Sequence, residues 1–482
     1  MKMPGKFEAP RNGGNRNRRP PRRRRRRRFN PLFLVPVTVV LIAVVLLLTM
    51  CGKKDGGDSG GKTQENQPGQ ATGETVETTQ PPSVVATASI AAQGDLLMHS
   101  YLFTSNPKYP AAAYIEEGVY NFDSIFRYVS SYVSGADYAV ANLETTFGNN
   151  TSYSGNPLFN CPDALADSVS AAGYDMLLTA NNHCVDTGAS GIKRTLEQVR
   201  SRNLATLGTQ LDDTEKKYTV VDVNGIRLGM LCYTYAGGLE SDGSPNFNLN
   251  ESTILREPGL VNYFTENKLD QFYSEVQTHL DNMRAEGAEA IILYIHWGTE
   301  YALAENATQR SIAQKMCDLG IDVIVGGHPH VVQPMDLLTS TTDPEHKTVC
   351  IYSLGNAVSN QRKEEMLESC PTGHTEDGAL FQVTFEKYSD GTVAVTETDV
   401  LPTWVNKFTN GDGKVEYNIL PLNQETKDQW KTLYNLTDSQ YAEALNSYDR
   451  TMSIIGAGLT KCQDYLAQRA QGGLSQDEPL AA

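Results

Sequence analysis

The chain has 482 residues, a formal net charge of −16 and 40% hydrophobic residues, enough apolar material for a sizeable core. The charge is split. Residues 1–30 hold thirteen Lys and Arg against the single acid Glu8, so everything after residue 30 carries −28. No basic patch with interleaved aromatics follows residue 52, which excludes nucleic acid as a partner of the main body.

Between the two regions of opposite sign, Leu32 to Met50 runs for nineteen residues without a charge, rich in Val, Leu and Ile. At ~1.5 Å per residue this matches the ~30 Å hydrocarbon layer of a bilayer. The arginines precede it, and the positive-inside rule then keeps the N-terminus in the cytoplasm. A cleaved signal peptide has a shorter apolar core and a small-residue cleavage site, which Leu48-Thr49-Met50 does not supply. A lipoprotein anchor at Cys51 meets Met50 where a small residue belongs, and the twin-arginine likeness of Arg26-Arg27-Arg28-Phe29 would arise from any polyarginine run. The sequence therefore predicts a basic cytoplasmic tail (1–30) and an uncleaved transmembrane signal anchor (31–51) that contacts the membrane through residues 32–50. The protein is then single-pass in a bacterial cell membrane, with its main domain extracytoplasmic. Residues 52–84, rich in Gly, Gln, Thr, Ser and Glu, cannot bury a core and read as a disordered stalk.

The ordered region opens with the small-residue strand Val85–Ala92, which ends at Gly94-Asp95. Further apolar runs follow: Tyr138–Ala141, Met176–Leu178, Ala290–Ile295 and Val323–Val325, alternating with helical spacing at Ile192–Arg202 and Leu269–Arg284. Asn224-Gly225 between two strand-like runs predicts a two-residue hairpin. Val349–Leu354, Ala379–Glu386 and Thr392–Val400 add strands, residues 361–378 read as a polar loop, and Gln424–Gln471 is helical. The pattern predicts an α/β class with two packed sheets flanked by helices: a main domain over 85–405 and a C-terminal helical extension over 406–482. Seven cysteines follow Cys51 without any Cys-x-x-Cys pair, so no disulfide framework is indicated.

Five strand ends carry ligand chemistry. They are Asp95 with His99, Asn142-Leu143-Glu144, Asn181-Asn182-His183, His296-Trp297-Gly298 and Gly327-His328-Pro329-His330, and they take in five of the eight histidines. Singly, each has a bland reading as a cap, a turn or a satisfied histidine. Together, carboxylate, amide and imidazole groups at the carboxyl ends of strands predict a site for divalent cations. Asn142 and Glu144 are two apart and point to one side of a strand. His328 and His330 share that spacing, with Pro329 favouring an extended His328. His279, His346 and His374 lie in helix or loop contexts and receive no role.

In order and wording, this series resembles the calcineurin-like metallophosphoesterases. It is most similar to one branch, the CapA family of capsule or poly-γ-glutamate synthesis proteins. Gly94-Asp95, Asn142-Leu143-Glu144, Asn181-Asn182-His183 with Asp186 and Gly188, and His296-Trp297-Gly298 with Glu300 and Tyr301 carry the likeness. Gly327-His328-Pro329-His330 with Gln333-Pro334, and Tyr352-Ser353-Leu354-Gly355-Asn356, complete it over about residues 85–400. The resemblance implies a four-layer α/β/β/α sandwich with one or two divalent ions (Mn, Fe, Zn or Mg) between the sheets. It implies that Asp95 and His330 hold the first metal and Asn182, His296 and His328 the second, with Glu144 as bridge. His183 would be the acid that protonates a leaving oxygen, oriented by Asp186.

The chain departs from the wider superfamily in lacking Asp-x-His, in having Glu144 for the usual Asp, and in placing Cys184 after Asn-His. The first metal is thereby short of one ligand. Three functions stay open. One is a membrane-anchored protein of capsule or poly-γ-glutamate synthesis or export, meeting synthase components or the anionic polymer. Another is a cell-surface phosphoesterase acting on nucleotides or wall phosphoesters, and the third is a non-catalytic accessory of a membrane synthase. A body of −28 repels a polyglutamate strand unless metals intervene, which favours recognition through the metal centre.

Overall fold

The computed structural model describes residues 82–148, 152–249 and 251–472. The basic tail, the apolar segment 32–50 and nearly all of the stalk lie outside the described residues. Among those described, no helix is long and apolar enough to cross a membrane.

Two sheets form the body. The first begins with β1 (Val84–Leu96), β2 (Tyr138–Asn142), β3 (Met176–Leu178) and β4 (Ala205–Leu207), all parallel. Helices α1 (Ala164–Ala172) and α2 (Gly188–Arg200) fall between these strands. The chain then builds the second sheet from β5 (Tyr218–Val223), β6 (Ile226–Tyr235) and β7 (Tyr263–Phe264). After helix α3 (Leu269–Ala285) comes β8 (Ala290–His296), and after α4 (Ala307–Asp318) come β9 (Val323–Gly327), β10 (Val332–Thr339) and β11 (Lys347–Leu354). It returns to the first sheet with β12 (Asn356–Val358), β13 (Asp377–Tyr388), β14 (Val393–Thr409) and β15 (Val415–Pro421). The strand orders are β15-β14-β13-β1-β2-β3-β4, with β12 beside β1, and β7-β6-β8-β9-β11-β10, with β5 beside β6.

Burial follows the predicted alternation. Ala88, Ile90 and Ala92 of β1 meet Leu228, Met230, Ile292 and Tyr294 of the second sheet in one apolar layer. The residues between them, such as Ala91, face outward onto α1 and the short helices at 123–133. On the far side of the second sheet, Leu293 and Ile324 pack against Phe272, Val276 and Leu280 of α3 and Ile312 and Met316 of α4. The layers therefore run helices, sheet, sheet, helices. The Asn224-Gly225 hairpin forms as the sequence indicates, with φ of 54° and 88°.

One boundary moves. The helical extension placed at residue 406 starts later, because β14 runs on to Thr409 and pairs with β15 through Pro421. Pro402 obscures this continuation, since a strand proline reads as a break. Here it pairs in register with Ala379, and its carbonyl accepts from the Leu422 N–H. Only Asp438–Gly472 forms the long C-terminal helix, α5, which lies across β14 of the first sheet and β10 of the second.

Strand register brings the functional ends together. Asp95 pairs beside Asn142, and His296 beside Gly327, all at the carboxyl ends of parallel strands. Gly94 is required there: a Cβ would sit 1.9 Å from the Gly355 carbonyl oxygen.

Candidate metal centre

Asp95, Glu144, His296, His328 and His330 converge in the interior, none of them more than 3% exposed. They fall into two groups that share one carboxylate, Glu144 with His296 and His328, and Asp95 with Glu144 and His330. Within each group the ligand atoms lie within 4.8 Å of one another. The Glu144 Oε1 is 3.4 Å from His296 Nε2 and 3.8 Å from His330 Nε2. Asn142 sets both carboxylates, its Nδ2 donating to Asp95 Oδ1 at 2.7 Å and to Glu144 Oε2 at 3.3 Å. Asn142 is in turn held by Asn181 Nδ2 at 3.1 Å. Asn182 joins on the His296 side, its Oδ1 2.8 Å from Nε2.

His183 belongs to neither group. Its Nδ1 lies 2.8 Å from Asp186 Oδ2, which also accepts from the Phe159 N–H at 2.6 Å, and the Phe159 ring meets the imidazole edge-on at 4.6 Å. Adjacent Asn182 and His183 thus diverge, one towards His296 and the other towards Asp186. His99 also stays outside both groups, its Nδ1 3.3 Å from the Leu97 carbonyl oxygen. The silent histidines His279, His346 and His374 lie elsewhere, as their contexts indicate.

The His-Pro-His turn corrects one expectation. His328 is not extended; it has φ 99°, and His330 has φ 57°. Left-handed backbone at non-glycine residues costs about 1–3 kcal/mol and persists only where surroundings enforce it. Here the Trp297 N–H donates to the Gly327 carbonyl at 3.1 Å and the Tyr301 N–H to the Pro329 carbonyl at 2.8 Å, so tertiary bonds override the local pre-proline preference.

The electrostatics suit residues that could hold a cation. Burial alone would raise the Asp95 pKa, but the His330 hydrogen bond and charge, with His296 and Asn142, hold it below the usual carboxylate value. Burial opposes charge on His330 too, yet Glu144 and Asp95 lift it to about 9. His328 is pushed well down by burial and by the charges of His296 and His330, so it stays neutral with a free lone pair. The Glu144 Oε1 and His328 Nδ1 are buried without hydrogen-bond partners. A buried carboxylate oxygen and a neutral imidazole nitrogen left unsatisfied in one cluster fit a divalent cation. For His183, burial opposes protonation, but the Asp186 hydrogen bond and charge, with Glu144, outweigh it and raise the pKa.

The profile of the bacterial capsule synthesis protein family PGA_cap matches residues 89–361, more than half of the chain, and spans all five strand ends. The chain belongs to the PGA_cap family. Among curated relatives, PGA biosynthesis protein CapA of Bacillus subtilis (strain 168) is 29% identical over 314 residues, covering 64% of this chain and 73% of its own. Capsule biosynthesis protein CapA of Bacillus anthracis is 28% identical over 342 residues, covering 68% of this chain and 73% of its own. A 5′-nucleotidase of Diplobatis ommata shares 28% identity over 173 residues, 34% of this chain and 25% of that protein.

Within this PGA_cap chain, some contributors escape sequence reading. Asn248, in a loop without ligand pattern, accepts from Asn182 Nδ2 at 3.0 Å and donates to the Asn182 carbonyl at 2.8 Å, which turns the Asn182 Oδ1 towards His296. Phe159 likewise has no signal in the sequence; only the fold brings its backbone N–H to Asp186.

Proposed function

We propose that this PGA_cap protein is a membrane-anchored, extracytoplasmic component of capsule or poly-γ-glutamate biosynthesis or export, carrying a divalent-metal site of hydrolase type. One observation carries the metal reading: two buried ligand groups sharing Glu144, with Glu144 Oε1 and His328 Nδ1 left without hydrogen bonds. Asp95 and His330 would hold one ion and Asn182, His296 and His328 another, with Glu144 reaching both. The layered pair of sheets and this ligand order support kinship with calcineurin-like metallophosphoesterases. When bound, such ions make water acidic and neutralise charge on a reacting centre. The chain's own part is to orient and to move protons. Asp186 fixes the His183 ring and favours its protonated form, so His183 can deliver a proton to a leaving oxygen without ligating metal.

The apolar segment 32–50 behind its arginines supports the anchor and the extracytoplasmic location. The family and the two CapA relatives support contact with synthase components or the anionic polymer. A second reading, a cell-surface phosphoesterase on nucleotides or wall phosphoesters, is favoured by the similarity to a 5′-nucleotidase. Metal content of the purified full chain, measured beside hydrolysis of an aryl phosphate and of a γ-glutamyl anilide, separates them. Bound metal with γ-glutamyl turnover supports the first, and bound metal with phosphatase turnover the second. A protein that takes up no Mn, Fe, Zn or Mg refutes the metal centre.

A further inference from the structure

We propose that Tyr301 is a substrate-binding residue of this centre, donating a neutral hydrogen bond to a substrate oxygen. The inference rests on the metal-centre reading above. Tyr301 has φ 65°, a conformation that a bulky aromatic residue rarely adopts. Its surroundings enforce it. The Tyr301 N–H donates to the Pro329 carbonyl at 2.8 Å, between the two histidines of the turn. Directly after it, the carbonyls of Ala302 and Ala304 accept from Gln333 Nε2 at 2.8 and 3.1 Å. Gln333 is fully buried and is itself held by Gln309 Nε2 at 2.9 Å. Strain so heavily over-determined marks a side chain whose direction matters.

That direction is towards the centre. The Tyr301 ring lies 6.3 Å from that of His330, and its hydroxyl oxygen accepts from Gln361 Nε2 at 3.2 Å. Gln361 is fixed by Asn356 Nδ2, 2.9 Å from its Oε1, and the same amide lies 3.3 Å from the His330 carbonyl. The Tyr301 hydroxyl oxygen accepts from Gln361, and its proton goes to the side chain of Glu300. Exposed Glu300 is the acceptor next to it, one that a bound oxyanion can replace. An ordinary phenol keeps its proton near neutral pH, so the group is available as a donor there. The need for such a donor is specific. Among the described residues, no Lys or Arg side chain bonds to any member of the cluster. A neutral donor beside the ligands would therefore add to what bound ions and a protonated His183 offer an oxyanion.

The test is affinity for inorganic phosphate, measured by titration calorimetry on the manganese-loaded full chain, with metal content determined in parallel. Tyr301→Phe should keep the wild-type manganese content and melting temperature while weakening phosphate binding at least fivefold. Gln361→Met, which keeps the ring and frees the hydroxyl, should give a smaller loss, and it carries the test should Tyr301→Phe not fold. Exposed Tyr109→Phe should change nothing. Unchanged phosphate affinity in Tyr301→Phe and Gln361→Met overturns the proposal alone, as does a manganese-loaded wild type that binds no phosphate. A wild type that takes up none of Mn, Fe, Zn or Mg removes the metal centre, and the proposal with it.

Discussion

Removing the metal should expose a pH dependence of stability that originates in His330. In the metal-free protein its pKa is about 9 against an ordinary 6.5. Burial opposes that rise, and Glu144 and Asp95 together produce it. A folded-state pKa above the unfolded value means stability that is fully present below about pH 6.5 and lost as pH rises through about 9. At ~1.4 kcal/mol per pKa unit the full gap corresponds to about 3.5 kcal/mol, of which about 3 kcal/mol is lost between pH 6.5 and 9.5. Because His183 is also raised, the quantity to measure is a difference of differences. Denaturant unfolding of chelator-treated wild type and His330→Gln at pH 6.5 and 9.5 supplies it. Wild type should lose about 3 kcal/mol more than the variant over that interval. Saturating divalent metal should flatten the wild-type profile, since Asp95 and Glu144 would then be neutralised by a bound cation rather than by a protonated His330. Equal pH slopes in the two metal-free proteins would refute the argument that the buried carboxylates lean on His330.

His296→Ala and His328→Ala should each lower bound metal measured by elemental analysis, with His279→Ala silent, since His279 lies outside the cluster; wild-type stoichiometry in both ligand variants would falsify the ligand assignment. His183→Ala should keep the metal complement and the fold while lowering turnover about a hundredfold or more, and less for leaving groups that need no proton; loss of metal instead would make His183 a ligand. Protease added to intact cells should cut within residues 52–84 and release a soluble fragment bearing the metal site, and a fragment recovered only after lysis contradicts the orientation.

Much of the centre is legible in the chain because strand ends are local events. Apolar runs of three to six residues lead to Asn142, His296 and Gly327, the small-residue strand Val85–Ala92 leads to Asp95, and a buried parallel strand ends where its polar groups begin. The Asn224-Gly225 hairpin is equally local, since positive φ at two successive residues selects those side chains. What the sequence determined by itself is thus the set of ligand types and their strand-end positions. Tertiary structure decided how they meet. That Glu144 stands in both groups depends on the packing of two sheets whose strands lie up to 235 residues apart along the chain (Asp95 to His330). The left-handed backbone of His328, His330 and Tyr301 is one that non-glycine residues seldom adopt, and bonds from Trp297, Gln333 and Tyr301 hold it. Asn248 fixes Asn182 through two hydrogen bonds across 66 residues, and β14 continues past Pro402 because β13 and β15 supply its ladder. Each of these features is stabilised by contacts distant in sequence, which no local pattern of side chains encodes.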